Sequence, residues 1–218
     1  AERARADVAL MVTGGFAPND EGRLSEGSSV FDRAEQVADH RLVTDAVHAE
    51  GGKILLQILH AGRYARHGAL VAPSALRASI NKLTPRAMTE ADIERTVDDY
   101  ARCAALAREA GYDGVEIMGS EGYLLTQFLV PRTNQRDDAW GGSLENRQRF
   151  ALDVVRRTRQ RVGADFILMY RLSVLDLVPD GADWAEIVST AKALEAAGVT
   201  LFNTGVGWHE ARVPTIAH

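Results

Sequence analysis

The sequence predicts an α/β fold in which a parallel sheet is covered by helices, and three observations carry that prediction. Five short, nearly continuous apolar runs occur in order, at residues 8–13, 53–59, 114–118, 166–172 and 200–203. Strands buried on both faces read this way, without polar alternation. Helical patterns separate the runs, and such strand–helix alternation is the signature of a parallel sheet with crossover helices. A weak internal repeat adds to this: HAEGGKILLQ, REAGYDGVEI and EAAGVTLFN each run from a helix end, through a glycine suited to a left-handed stop, into an apolar strand. Two architectures satisfy the pattern, a doubly wound open sheet and a (β/α)8 barrel. No G-x-G-x-x-G follows a strand, which argues against a dinucleotide-binding open sheet.

Taken in order, the chain opens with AERARAD, a charged helix tail, and the first strand ends in Val12-Thr13-Gly14-Gly15. A Gly-Gly pair there serves a sharp turn or lets the backbone pass close to something flat. Ile93, Val97, Tyr100, Ala104 and Ala107 recur at steps of four, three, four and three, one face of a helix that Thr89 caps with Asp92 three residues on. Cys103 lies on the same helix and reads as a small buried hydrophobe, since no second Cys or neighbouring His accompanies it. After the strand at 114–118, the stretch from Gly119 to Gly122 frees the backbone, so that Tyr123 leaves the sheet at its carboxyl end, where parallel α/β folds gather their active groups. Ser143, behind Gly141-Gly142, is an N-cap for a helix over about 144–162, and a shorter helix covers about 184–197.

With 218 residues, 46% of them hydrophobic, and a formal charge of −5, the chain can build one large core and has no electrostatic bias toward nucleic acid or membrane. A single cysteine excludes a disulfide framework, and no metal site is expected. No apolar run reaches the roughly eighteen residues that a membrane span needs. The charged start lacks a signal-peptide core, which favours a cytoplasmic setting.

Four segments carry chemistry. Gln-Ile-Leu-His-Ala-Gly-Arg-Tyr (57–64) closes the second strand, Arg171 interrupts the apolar run ILMYRLS, MGSEGYL (118–124) leads out of the third strand, and Trp208-His209-Glu210-Ala211-Arg212 follows the last one. An arginine in an apolar strand needs an anionic or electron-rich partner, because an unpaired buried guanidinium is costly. These motifs resemble the flavin-dependent old yellow enzyme family, and within it the 2,4-dienoyl-CoA reductase (NADPH) branch, over nearly the whole chain.

The resemblance decides for the barrel. It implies that 1–218 is a partial FMN-binding TIM-barrel domain with strands two to six, the first, seventh and eighth being absent, and that loops holding the cofactor phosphate lie beyond His218. It assigns Gln57, Arg171 and Gly15 to FMN. A primary amide can answer the acceptors and the N–H donor of an isoalloxazine edge, and an arginine stabilises negative charge at its pyrimidine edge. Bland readings stand beside these: Gln57 satisfying backbone groups, Arg171 in a buried ion pair with Glu116, Gly15 in a turn, and His60 bracing its loop.

Tyr123 matches the family's proton donor, and His209 the histidine that assists it. Most members carry a His, and three residues later a His or Asn, where this chain has Met118 and Glu121. Methionine cannot donate a hydrogen bond, so polarisation of an enone carbonyl by that pair is lost, and an acyl-CoA thioester is the implied substrate. Glu210, Ala211 and Arg212 are expected to bracket it, with Arg132, Thr133, Asn134 and Gln135 as the opposite wall. In this branch electrons arrive from NADPH through FAD and a 4Fe-4S cluster, expected on the same polypeptide outside these residues. The alternatives are a trimethylamine dehydrogenase-like amine oxidation, which calls for an aromatic cage, and a flavin-free remnant acting only as a binding surface.

Overall fold

The computed structural model describes residues 1–211. Five strands, β1 (Leu10–Phe16), β2 (Lys53–Ile58), β5 (Gly114–Gly119), β6 (Ile167–Leu175) and β7 (Leu201–Val206), form one sheet in that order, every pair parallel. A short helix, α1 (Glu2–Arg5), precedes β1. The crossovers are α2 (Val37–His48), α3 (Glu90–Glu109), α5 (Leu144–Val162) and α6 (Trp184–Ala197). Two two-residue strands, β3 (Val71–Ala72) and β4 (Arg86–Ala87), pair with each other in an excursion between β2 and α3. The helix α4 (Leu124–Leu129) follows β5.

Alternation along the strands separates the two faces. Leu56, Ile58, Val115, Ile117, Leu168, Tyr170 and Leu172 join Val97, Tyr100, Val154, Val155 and Leu194 in one core, so the crossover helices pack on a single face of the sheet. Each such side chain, fully removed from water, contributes about 1.5–3 kcal/mol before conformational costs. The strands also run through the sheet in chain order. A doubly wound sheet reverses its strand order at a switch point and carries helices on both faces; this one does neither, and is an arc of a (β/α)8 barrel. The other face, the concave side of such a barrel, carries Leu55, Gln57, Glu116, Met118, Met169, Arg171 and Asn203.

The helix caps follow the sequence closely. Thr89 and Asp92 close a reciprocal capping box on α3, and all five residues of the expected stripe are fully buried. Ser143 caps α5 through the Asn146 amide, and both α5 and α6 keep the predicted bounds. Gly51, Gly111 and Gly198, the glycines of the internal repeat, all take positive φ. Cys103 is fully buried, and that burial pushes its thiol well above the ordinary range.

The first strand departs from expectation. It begins at Leu10, two residues later than predicted, and runs through both glycines, with a register irregularity between Val12 and Gly15. Gly15 is needed for close approach: a Cβ there would fall 2.8 Å from Leu59 Cβ and 3.1 Å from Gln57 Oε1. The strands predicted at 166–172 and 200–203 extend three residues further, to Leu175 and Val206. The two strands stay paired with each other through these added residues, with a register irregularity between Ser173 and Leu175.

Candidate active site

At the carboxyl end of the sheet the chain brings Tyr123 and His209 together. Tyr123 is the N-cap of α4, immediately after Gly122 (φ 86°). His209 lies in the turn after β7, and its Nε2 is 2.8 Å from the Tyr123 hydroxyl. The rings meet edge to face at 5.0 Å, and Tyr64 stands edge-on to both, at 5.9 Å from Tyr123 and 5.8 Å from His209. Burial, helped by the nearby Glu121 charge and opposed by Arg171, pushes the Tyr123 phenol up to about 12. It therefore stays protonated at neutral pH, as a proton donor must.

Glu121 organises the next ring of contacts. It holds φ 62° on a non-glycine residue, a left-handed conformation that costs on the order of 1–3 kcal/mol. In that pose its Oε1 lies 2.7 Å from Arg171 Nη2 and its Oε2 3.6 Å from His209 Nε2. Arg171 is thus paired with Glu121, and the buried pair with Glu116 does not form. Glu116, fully buried, instead accepts from Gln57 Nε2 at 2.7 Å and Asn203 Nδ2 at 2.8 Å.

Gly15 pairs in register with Gln57, and Arg171 with Met118 and Asn203. A planar group with alternating donors and acceptors along its edge fits this face. With Nε2 committed to Glu116, Gln57 presents its Oε1 acceptor. Arg171 keeps a buried Nε–H without a partner among the described residues.

His60 is fully buried and accepts from the Gly62 amide through Nδ1 at 3.1 Å, while its carbonyl accepts from Leu124. Burial, with His67 nearby, lowers its pKa to about 3, so it is a neutral brace for the loop.

The whole chain, residues 1–218, matches the model of the NADH:flavin oxidoreductase / NADH oxidase family. The chain belongs to that family. A "metal reductase" of Desulforamulus reducens is 40% identical over 98% of this chain and 32% of its own length. An N,N-dimethylglycine/sarcosine dehydrogenase of Chromohalobacter salexigens is 35% identical over 94% of this chain and 31% of its own. A solved 2-naphthoyl-CoA reductase in complex with 2-naphthoyl-CoA superimposes with a TM-score of 0.92 at 32% identity, covering 98% of this chain and 35% of that one. The chain thus spans about a third of the length of these relatives. The old yellow enzyme resemblance of its motifs holds, and the family implies FMN as the flavin.

The other residues expected around a substrate are placed unevenly in this family member. Thr133 and Asn134 are buried and spent on backbone carbonyls: Thr133 Oγ1 on Gln127, Asn134 Nδ2 on Phe128 and Trp140. Only Gln135 is exposed and Arg132 half-buried, its Nη1 reaching the Pro179 carbonyl at 3.3 Å. Glu210 is spent within the protein, on Arg63, Tyr64 and Ser79. Ala211 donates its amide to the Trp208 carbonyl. Arg212 lies outside the described residues. Trp208, a candidate for an aromatic cage, is fully buried with Nε1 on Asp176 at 2.8 Å.

Sequence reasoning missed Tyr64 and the bridging role of Glu121. The available signal was their position, one at the end of a recognised motif and the other a charged residue between Ser120 and Gly122 at a strand exit. Among the described residues, no helix is long and apolar enough to cross a membrane.

Proposed function

We propose that this chain forms the catalytic arc of an FMN-dependent oxidoreductase that reduces 2,4-dienoyl-CoA thioesters, with Tyr123 as proton donor and His209 as its partner. The observation that carries the reading is the 2.8 Å contact between Tyr123 and His209 at the carboxyl end of the sheet. If His209 donates its Nε2–H to the phenol oxygen, the Tyr123 proton is free to point at a substrate carbon, and the histidine then helps restore it from solvent.

Gln57, Arg171 and Gly15 would hold FMN, which when bound supplies hydride to the conjugated chain. Arg171, balanced by Glu121, stabilises negative charge beside it, and Tyr123 delivers the proton to the carbanion-like carbon. Met118, buried in one cluster with Tyr64 and Tyr123, offers an enone carbonyl no hydrogen bond, which disfavours simple enones. The CoA ester bound by the naphthoyl-CoA reductase supports the substrate class. Transfer from NADPH through FAD and a 4Fe-4S cluster, held elsewhere on the same polypeptide, completes the proposal.

A second reading, oxidation of an N-methylated amine, draws support from the dimethylglycine/sarcosine dehydrogenase. The burial of Trp208 weighs against it, because Trp208 then offers no aromatic face to a cation beside Tyr123. One experiment separates the two. Reduced, flavin-loaded protein is mixed anaerobically with a dienoyl-CoA, and oxidised protein with dimethylglycine or trimethylamine. Reoxidation by the thioester and no bleaching by the amines is expected; the opposite pattern overturns the assignment.

A further inference from the structure

We propose that Glu210 is a positioning residue: its buried carboxylate, clamped by Arg63, Tyr64 and Ser79, holds the turn after β7 so that His209 rests on the Tyr123 hydroxyl. The inference deepens the proton-transfer assignment above and rests on it.

The clamp joins three segments of chain. Arg63 and Tyr64 lie in the loop after β2, Ser79 between β3 and β4, and Glu210 directly after His209. Both carboxylate oxygens are filled. Oε1 accepts from Arg63 Nη2 and from the Tyr64 hydroxyl at 3.0 Å, and Oε2 from Ser79 Oγ at 3.0 Å and the Ser79 amide at 3.4 Å. The side chains of Glu210 and Arg63 are only 2% and 5% exposed. With four donors on two oxygens, the carboxylate has little left to offer a substrate.

A buried ion pair is a poor way to gain stability, since desolvation offsets most of the attraction. It is a good way to fix register, because only one geometry satisfies both charges. The register fixed here is that of His209. Its ring is 39% exposed, and its own backbone is tied to the site by one amide, to the Glu121 carbonyl at 3.3 Å. Tyr64 couples clamp to site directly, since its hydroxyl binds Glu210 while its ring faces Tyr123 and His209. The carboxyl group behaves accordingly. Burial works against its charge, and Arg63 with Ser79 and Tyr64 outweighs that, holding it below the ordinary range.

The test uses Glu210→Gln in the flavin-loaded protein, with two readouts. In tyrosine labelled at Cζ with carbon-13, Tyr123 is expected to titrate near 12 in the parent. In the variant, the turn loosens, water reaches the phenol, and the value falls by about one unit or more toward the ordinary value of about 10. Turnover of a dienoyl-CoA is expected to fall about tenfold, and by less than about twofold when His209 is already Ala, because the clamp acts through that histidine. If the variant does not fold, Ser79→Ala on the exposed segment is expected to move both readouts in the same direction by less. A folded Glu210→Gln with an unmoved Tyr123 titration, losses that multiply with His209→Ala, or a Ser79→Ala without any effect overturns the proposal. If dienoyl-CoA proves not to be a substrate, the Tyr123 titration still reads the clamp, so the two failures are distinguishable.

Discussion

Replacing Tyr123 with Phe removes one oxygen from a site whose packing the ring alone maintains. The ring keeps its edge-on contact with Tyr64 at 5.9 Å and its place in the apolar cluster with Met118 and Ala78. What goes is the 2.8 Å hydrogen bond to His209, worth about 0.5–1.5 kcal/mol to stability, so the variant is expected to fold and keep its flavin. Loss of a positioned general acid costs a factor of about 10²–10⁴ in rate, or about 2.7–5.4 kcal/mol in barrier. Tyr123 is only 9% exposed, which leaves little room for water to stand in, so a loss of at least about a hundredfold is expected. Stopped-flow absorbance separates the half-reactions. Reduction of the flavin by its electron donor should be unchanged, and reoxidation by dienoyl-CoA should carry the whole loss. Reoxidation within about threefold of the parent would remove Tyr123 from the chemistry.

Three further outcomes follow from the same geometry. His209→Ala should slow reoxidation by less than Tyr123→Phe, because water can partly relay the proton, and the double variant should be no worse than about twofold beyond Tyr123→Phe alone; a full product of the two losses would show independent roles. Gly122→Ala should destabilise by about 1–3 kcal/mol from backbone strain alone, since φ is 86° and a Cβ would meet the Tyr64 hydroxyl and lie 2.8 Å from Trp208 Cε3; an unchanged denaturant midpoint would contradict it. The raised Tyr123 pKa means that the folded state holds its proton longer than the unfolded chain. Its stabilising contribution is complete below about pH 10 and is lost as pH rises toward about 12. Measured at increasing pH across that window, the stability of the parent should therefore fall relative to Tyr123→Phe, and parallel curves would count against the shift.

Much of the fold was legible because the signals are local. A buried parallel strand needs an apolar run, and a helix needs donors for its first turn, which is why Thr89, Asp92 and Ser143 marked α3 and α5 so closely. The barrel choice was less accessible, since both candidate architectures share those signals; only the strand order and the single helix-covered face distinguish them. The helix α4 was invisible to periodicity because all six of its residues are buried, which leaves no amphipathic stripe to read. β1 was misplaced because glycines weaken strand propensity, whereas here Gly15 stays in the strand for the sake of Leu59 and Gln57.

The site shows the same division between residue type and partner. Three glutamates stand near the mouth, and residue type alone does not distinguish them. Glu116 is met by two neutral amides, from Gln57 and Asn203, and its consequence is to orient the Gln57 acceptor. Glu121 reaches Arg171 from a left-handed backbone, a conformation that the following Gly122 also takes. Glu210 is consumed by Arg63, which sequence order places 147 residues away. What a carboxylate does here is set by which cation or amide the fold delivers to it, and that delivery depends on strand register and on one strained residue. Tyr123 and His209 meet for a physical reason: both sit at the exits of parallel strands, and such exits converge on one end of the sheet whatever the loops between them do.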